Sequence, residues 1–312
     1  MKRGNRVCIA LAGTLALAVV QLGAFAGAAS AATGGARAPG TSPASPPPAS
    51  EAGPAPSPSP SSGALRIVSA KIAPRTSFYY GVREPRLSFT IDSTQPQNDL
   101  QIEILDSAGQ TVRVLYRNDL EPNVASAVRW DGTTAEGRPA RNGDYSFRIS
   151  AQGSTQSARI STSSKAAALD FSFYGYIFPV QGTHTYGDGI GAPRSGHTHQ
   201  GQDLAAACDT PLVAARGGRI QYAGYQAGGA GYYTVIDGKG TGQDTAYMHM
   251  REPGLLPVGS AVRTGQVIGY VGDTGDSQGC HLHFELWSAP GWYEGGQFMD
   301  PTPLLKRADR YS

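Results

Sequence analysis

Beyond residue 31, no apolar stretch in this chain approaches the ~20 residues that a membrane-spanning helix takes. The rest of the chain is therefore expected to be soluble and to keep no stable membrane anchor. An excess of one charge is also missing. Lysine and arginine total 26 against 24 acidic residues, a net +2. Lys2, Arg3 and Arg6 carry three of the positive charges, so the chain without them has 2 − 3 = −1. That balance leaves no electrostatic footprint for nucleic acid. Cysteine is scarce, with three residues in all. Cys8 stands too early to carry a lipid anchor. Cys208 and Cys280 are an even pair, and a disulfide between them is expected in an oxidising compartment. No helical period is sustained after residue 170, and the metalloprotease pattern His-Glu-x-x-His does not occur.

What is present divides the chain into five parts. Lys2, Arg3 and Arg6 precede an uncharged apolar run from Val7 to Val20, and Ala29-Ser30-Ala31 offers a cleavage site before Ala32. Residues 1–31 thus read as a secretory signal peptide. Residues 32–64 collapse to Pro, Ala, Ser and Gly and are expected to be a disordered linker. Residues 65–153 alternate in the manner of strands, as in Leu87-Ser88-Phe89-Thr90-Ile91 and Tyr145-Ser146-Phe147-Arg148-Ile149. A polar connector is expected over 154–170. Residues 171–305 are glycine-rich, with short apolar strands, and read as a second β domain.

Within the first domain, Val128-Arg129-Trp130-Asp131-Gly132 is followed by Glu136-Gly137-Arg138 and Asn142-Gly143-Asp144-Tyr145. This resembles the immunoglobulin-like domain of flagellar hook-cap proteins. The resemblance implies a β-sandwich and no particular activity. A cell-wall component or a protein is left open as its partner.

All six histidines lie in the last domain: His184, His197, His199, His249, His281 and His283. Two patterns stand out, His199-Gln200-Gly201-Gln202-Asp203 and His281-Leu282-His283-Phe284-Glu285. Together they supply imidazoles and a carboxylate of the kind that binds zinc with one position open to water. Gly201 is expected to let the backbone turn so that His199 and Asp203 converge. On a strand, His281 and His283 share a face while Leu282 and Phe284 point to the core. Either histidine could bind the metal, with the other beside the bound water. Glu285 shares that face and suits an orienting role. Tyr186 is a candidate groove hydroxyl, and Trp287 and Trp292 are candidates for core, rim or substrate platform.

These motifs resemble the lysostaphin-type zinc endopeptidases of peptidoglycan. Phe178-Pro179-Val180, Thr210-Pro211-Leu212-Val213-Ala214-Ala215, Gly265-Gln266-Val267-Ile268-Gly269 and Thr274-Gly275 extend the similarity over most of the last domain. The resemblance implies zinc (Zn2+) held by His199, Asp203 and His283, with catalytic roles for His249 and His281. It implies an all-β chain, an immunoglobulin-like sandwich followed by a small antiparallel β metallopeptidase domain. It also implies peptidoglycan peptides as substrate and a secreted, extracellular or cell-wall-associated location. The alternative is a catalytically silent wall-binding or hydrolase-activating protein of the same fold, which the full set of ligands and histidines argues against.

Overall fold

A computed structural model describes residues 65–152, 159–160 and 169–311. The expected signal peptide, the linker and most of the connector lie outside the described residues. The architecture is all-β apart from one short C-terminal helix and a 3-10 turn. Among the described residues no helix is long and apolar enough to cross a membrane.

The first part is a sandwich of two sheets. Its strands are β1 (Arg66–Ala73), β2 (Thr76–Phe78), β3 (Arg86–Asp92), β4 (Asn98–Asp106), β5 (Thr111–Leu120), β6 (Ala125–Arg129), β7 (Gly143–Ala151), β8 (Arg159–Ile160) and β9 (Asp170–Tyr174). One sheet runs β6-β3-β1-β8 and the other β2-β9-β7-β4-β5. Alternating residues such as Leu87, Phe89, Ile91, Ile102, Ile104 and Phe147 fill the space between them. Trp130 is fully buried against Tyr145, Phe171 and Phe173, at centroid distances of 5.1, 5.8 and 4.9 Å. Gly132 has φ +80, and a Cβ there would lie 2.3 Å from the Phe173 ring, so the turn after Trp130 requires glycine.

Phe171 and Phe173 show where the two domains divide. On sequence they were expected to open the last domain. Instead β9 pairs with β7 and β2 and closes the sandwich. Burying two aromatic rings against Trp130 favours this side.

The second part is built on one antiparallel sheet. Its strands are β10 (His184–Tyr186), β11 (Pro193–Arg194), β12 (His197–Thr198), β13 (Gln202–Ala206), β14 (Pro211–Val213), β15 (Gly218–Gln226), β16 (Gly231–Gly238), β17 (Gln243–Met250), β18 (Ala261–Val262), β19 (Val267–Tyr270), β20 (His281–Trp287) and β21 (Phe298–Met299), followed by α1 (Thr302–Ala308). The main sheet runs β10-β13-β20-β17-β16-β15-β18, with β21 on β20. One face packs on Phe178, Leu212, Ile268 and Val271, using Leu204, Ile236, Tyr247, Leu282 and Phe284. The other face is free to carry polar side chains. Cys208 and Cys280 form a disulfide with Cα atoms 5.2 Å apart, tying the end of β13 to the start of β20.

The two parts meet through a defined seam. Val82 N donates to Thr264 O at 3.1 Å, Thr264 N to Tyr80 O at 3.0 Å, and Thr264 Oγ1 to Tyr79 O at 2.6 Å. Arg216 lies buried between the rings of Tyr79 and Tyr176, 4.5 and 5.1 Å from their centroids. The sandwich is thus hydrogen-bonded to the second part as well as linked to it by chain.

Candidate metal centre

The register between β13 and β20 pairs Asp203 with His283. Cross-strand neighbours on one face stand within side-chain reach, so the carboxylate meets the imidazole directly. His199 precedes β13 in a loop pinned by His199 N to Ala192 O and Gly191 N to His199 O, both 2.8 Å. The potential ligand atoms of His199, Asp203 and His283 all lie within 4.8 Å of one another. Gly201 makes this convergence possible by close approach and not by an unusual turn. A Cβ there would stand 2.4 Å from Phe284 O and 2.9 Å from His283 Nε2.

The hydrogen-bond partners define which nitrogens face inward. His199 Nδ1 donates to Gly189 O at 2.8 Å, which leaves Nε2 aimed at Asp203 Oδ1, 2.9 Å away. His283 Nε2 donates to Glu285 Oε1 at 3.1 Å, which leaves Nδ1 aimed at the same Oδ1, also 2.9 Å away. The two inward nitrogens are 2.8 Å apart. Two imidazole nitrogens and a carboxylate oxygen turned on one point are a donor set suited to a metal ion. Electrostatics agree. Burial raises the Asp203 carboxyl, but hydrogen bonds with His199 and His283 outweigh it and hold it well below the usual carboxylate range. Burial opposes charge on His283, yet Asp203 and Glu285 pull it up to about 9. The cluster favours positive charge at its centre, which a divalent cation held by these donors would supply.

Glu285 stands behind His283, not at the centre. Its Oε2 accepts the indole N–H groups of Trp287 and Trp292 at 2.8 and 3.1 Å. Its geometry is that of a carboxylate orienting a ligand histidine. Arg194, at the β11–β12 hairpin, donates to Asp203 Oδ2 at 3.0 Å and to Asp188 Oδ2 at 2.8 Å. Sequence reasoning missed Arg194 and the indole contacts, because no motif spacing announces them.

His249 and His281 stand beside the cluster of His199, Asp203 and His283, with ring centroids 4.7 Å apart. His281 Nδ1 donates to Gly279 O at 2.8 Å, and its Nε2 lies 3.8 Å from Asp203 Oδ1. His249 arrives by a backbone device. Tyr247 and Met250 are both buried in the core, and strict alternation would send His249 there too. His249 instead adopts φ +58, a left-handed conformation that is rare for such a residue and resets the alternation. Its Nδ1 donates to Thr274 O at 2.8 Å, leaving Nε2 free. Burial, the largest influence, lowers its pKa to about 4, so the ring is neutral at neutral pH.

The remaining histidines lie elsewhere. His197 is exposed and contacts Ser195 O. His184 stacks on Phe178 and pairs with Asp309 at 3.1 Å. Tyr186 donates to the same carboxylate at 3.3 Å, and burial raises its pKa. It fastens the C-terminal turn and is not a groove hydroxyl.

Residues 197–301 match the family described as peptidase family M23, and residues 79–155 match the FlgD Ig-like domain. Lysostaphin of Staphylococcus staphylolyticus is 34% identical over 115 residues, covering 36% of this chain and 23% of that protein. DD-carboxypeptidase/endopeptidase Mpg of Neisseria meningitidis serogroup B is 37% identical over 112 residues, covering 36% of this chain and 25% of that protein. The matches span 18 to 31% of the length of these and similar curated relatives. The crystallized catalytic domain of lysostaphin from Staphylococcus simulans shares 32% identity, covering 39% of this chain and 92% of that one, with a TM-score of 0.36. Residues 197–301 thus carry a peptidase family M23 domain similar to that of lysostaphin, and a FlgD-type immunoglobulin-like domain stands before it.

Proposed function

We propose that the protein is a secreted zinc endopeptidase that hydrolyses peptide bonds in the stem or cross-bridge peptides of peptidoglycan. One observation carries the reading: His199 Nε2 and His283 Nδ1 converge on Asp203 Oδ1, with His249 and His281 side by side next to them. His199, Asp203 and His283 would hold the ion. Zinc in such a site polarises a carbonyl and makes bound water acidic near neutral pH. His249 and His281 each spend Nδ1 on a backbone carbonyl, which fixes the ring and leaves Nε2 for proton transfer. One accepts the proton of the attacking water, and the other steadies charge developing on the scissile carbonyl oxygen. Glu285 orients His283, and Arg194 orients Asp203. Lys2, Arg3, Arg6 and the apolar run behind them support export, and the Cys208–Cys280 disulfide suits an oxidising compartment.

The test is digestion of purified peptidoglycan by the purified protein, with products identified by mass spectrometry. New peptide termini that vanish with a chelator and return with zinc are expected. Intact muropeptides after digestion with the zinc-loaded protein would overturn the reading.

A further inference from the structure

The sheet face that bears the metal centre continues well past His283. Register places Met248 beside His283, Ala246 beside Glu285, Val235 beside Ala246, and Tyr222 beside Val235. Val235, Ala246 and Met248 form a small apolar floor with Ala230, and Tyr222, Tyr233 and Trp292 pack against it. From there the rings run on in file. Trp292 lies 5.6 Å from both Tyr222 and Tyr233 and 4.6 Å from Tyr293. Tyr293 lies 5.2 Å from Trp287, which lies 5.9 Å from Phe298. Tyr293 is 69% exposed and Phe298 37%. The two indole N–H groups are spent on Glu285, the carboxylate that holds His283. The file is therefore fastened to the metal centre at its base and open to solvent at its rim.

The file carries the hydroxyls of Tyr222, Tyr233 and Tyr293, and Glu294 accepts from that of Tyr222. A peptide docking by strand addition needs a free sheet edge with its main-chain donors and acceptors. The file offers a sheet face and ring planes instead. A ligand that fits has flat apolar faces and outward O–H and amide N–H donors, which is the chemistry of an N-acetylated pyranose.

We propose that Tyr222, Tyr233, Trp292, Tyr293 and Phe298, backed by the buried Trp287, form a saccharide subsite that seats the glycan of the substrate while its attached peptide reaches the metal centre. The choice of ligand rests on the peptidoglycan reading above. Aromatic rings set a few ångströms apart present stacking surfaces that bind with little loss of side-chain freedom.

The full chain is titrated with the tetrasaccharide of N-acetylglucosamine, with and without chelator, and tryptophan fluorescence is read. Trp287 and Trp292 lie in the file, whereas Trp130 is buried in the sandwich. A saturable change is expected, weakened by roughly tenfold or more in Tyr293→Ala and in Phe298→Ala and retained in Tyr293→Phe. Tyr293 and Phe298 are exposed at the rim, so these variants test the surface without emptying the core. No saturable change up to about millimolar sugar overturns the proposal. So does undiminished binding by both alanine variants, or binding of oligolysine in place of the sugar. Sugar binding without muropeptide cleavage would sink the peptidase reading and leave the subsite, and cleavage without sugar binding would do the reverse.

Discussion

Arg194 holds Asp203 by Oδ2, at 3.0 Å, while Oδ1 of the same carboxylate faces both His199 and His283. The guanidinium thus occupies one oxygen and leaves the other as the one that would face an ion. Arg194→Ala should weaken zinc affinity by roughly 10–100-fold, the usual effect of removing an orienting partner. Competition with a chromophoric chelator measures it. Arg194→Lys should recover only part, because a point charge lacks the planar fork that also reaches Asp188. Unchanged affinity in Arg194→Ala would leave the contact with no role at the metal.

Glu285 satisfies three donors at once, the buried His283 Nε2 and Trp287 Nε1 and the half-buried Trp292 Nε1. Glu285→Gln keeps an acceptor for the indoles but weakens the pull on His283. It should fold and lose about tenfold in zinc affinity. Glu285→Ala orphans all three and should cost roughly 2–5 kcal/mol in urea unfolding, at ~1–3 kcal/mol for each unsatisfied donor with some relaxation. Equal stability of the two variants would refute the distinction.

His249 reaches the site only because its backbone is left-handed. Asparagine tolerates that conformation better than most residues, so His249→Asn should fold and bind zinc like the parent. It lacks a basic nitrogen for proton transfer, and hydrolysis should fall by roughly 10²–10⁴-fold. Steady-state rates on a muropeptide substrate, set beside circular dichroism, decide the point. A variant that folds, binds zinc and cleaves at the parent rate would remove His249 from the chemistry.

These residues also show what can be read before the structure. His199 and Asp203 are legible because their four-residue spacing is local, His283 is singled out from His281 only by the family resemblance, and Glu285 follows from the two-residue period of β20. His249 is not legible by that rule. Alternation along β17 points it at the core beside Tyr247, and a positive φ at a non-glycine residue leaves no trace in composition. Arg194 comes from a hairpin that folds back over Asp203, a contact without sequence signature. Phe171 and Phe173 alternate equally well whichever sheet they join. Only the packing against Trp130 assigns them to the sandwich. Sequence period defines a face, while tertiary packing defines its neighbours.

Arg216 donates to Lys239 O through both Nε and Nη2, at 2.9 and 2.8 Å, and to Gly175 O at 3.0 Å, with the Tyr79 ring of the sandwich stacked on it. Arg216→Ala leaves the buried Gly175 carbonyl and the Lys239 carbonyl without their donor and removes the stacking. A loss of roughly 2–4 kcal/mol is expected. Because the residue sits at the seam, calorimetry should show a single unfolding transition in the parent and two in the variant. One transition at the parent temperature in Arg216→Ala would show that Arg216 does not carry the coupling between the two parts.

Asp244 is 1% exposed and accepts Trp292 N at 2.7 Å. Burial first, with further repulsion from Asp237 and Glu294, raises its pKa to about 6 against the opposing hydrogen bond. The ordinary aspartate value is about 3.9. The folded chain therefore holds this proton more tightly than the unfolded chain does. The stabilising contribution is fully present below about pH 4 and is lost as pH rises toward 6. Asp244→Asn cannot ionise, and its amide oxygen can still accept from Trp292 N. Relative to the parent it should be near-neutral at about pH 4 and more stable by roughly 1–3 kcal/mol above pH 7. Urea unfolding at the two pH values reads the difference, since every other carboxyl titrates alike in both proteins. Parallel stability curves for the two would mean that Asp244 ionises in the folded state as freely as in the unfolded one.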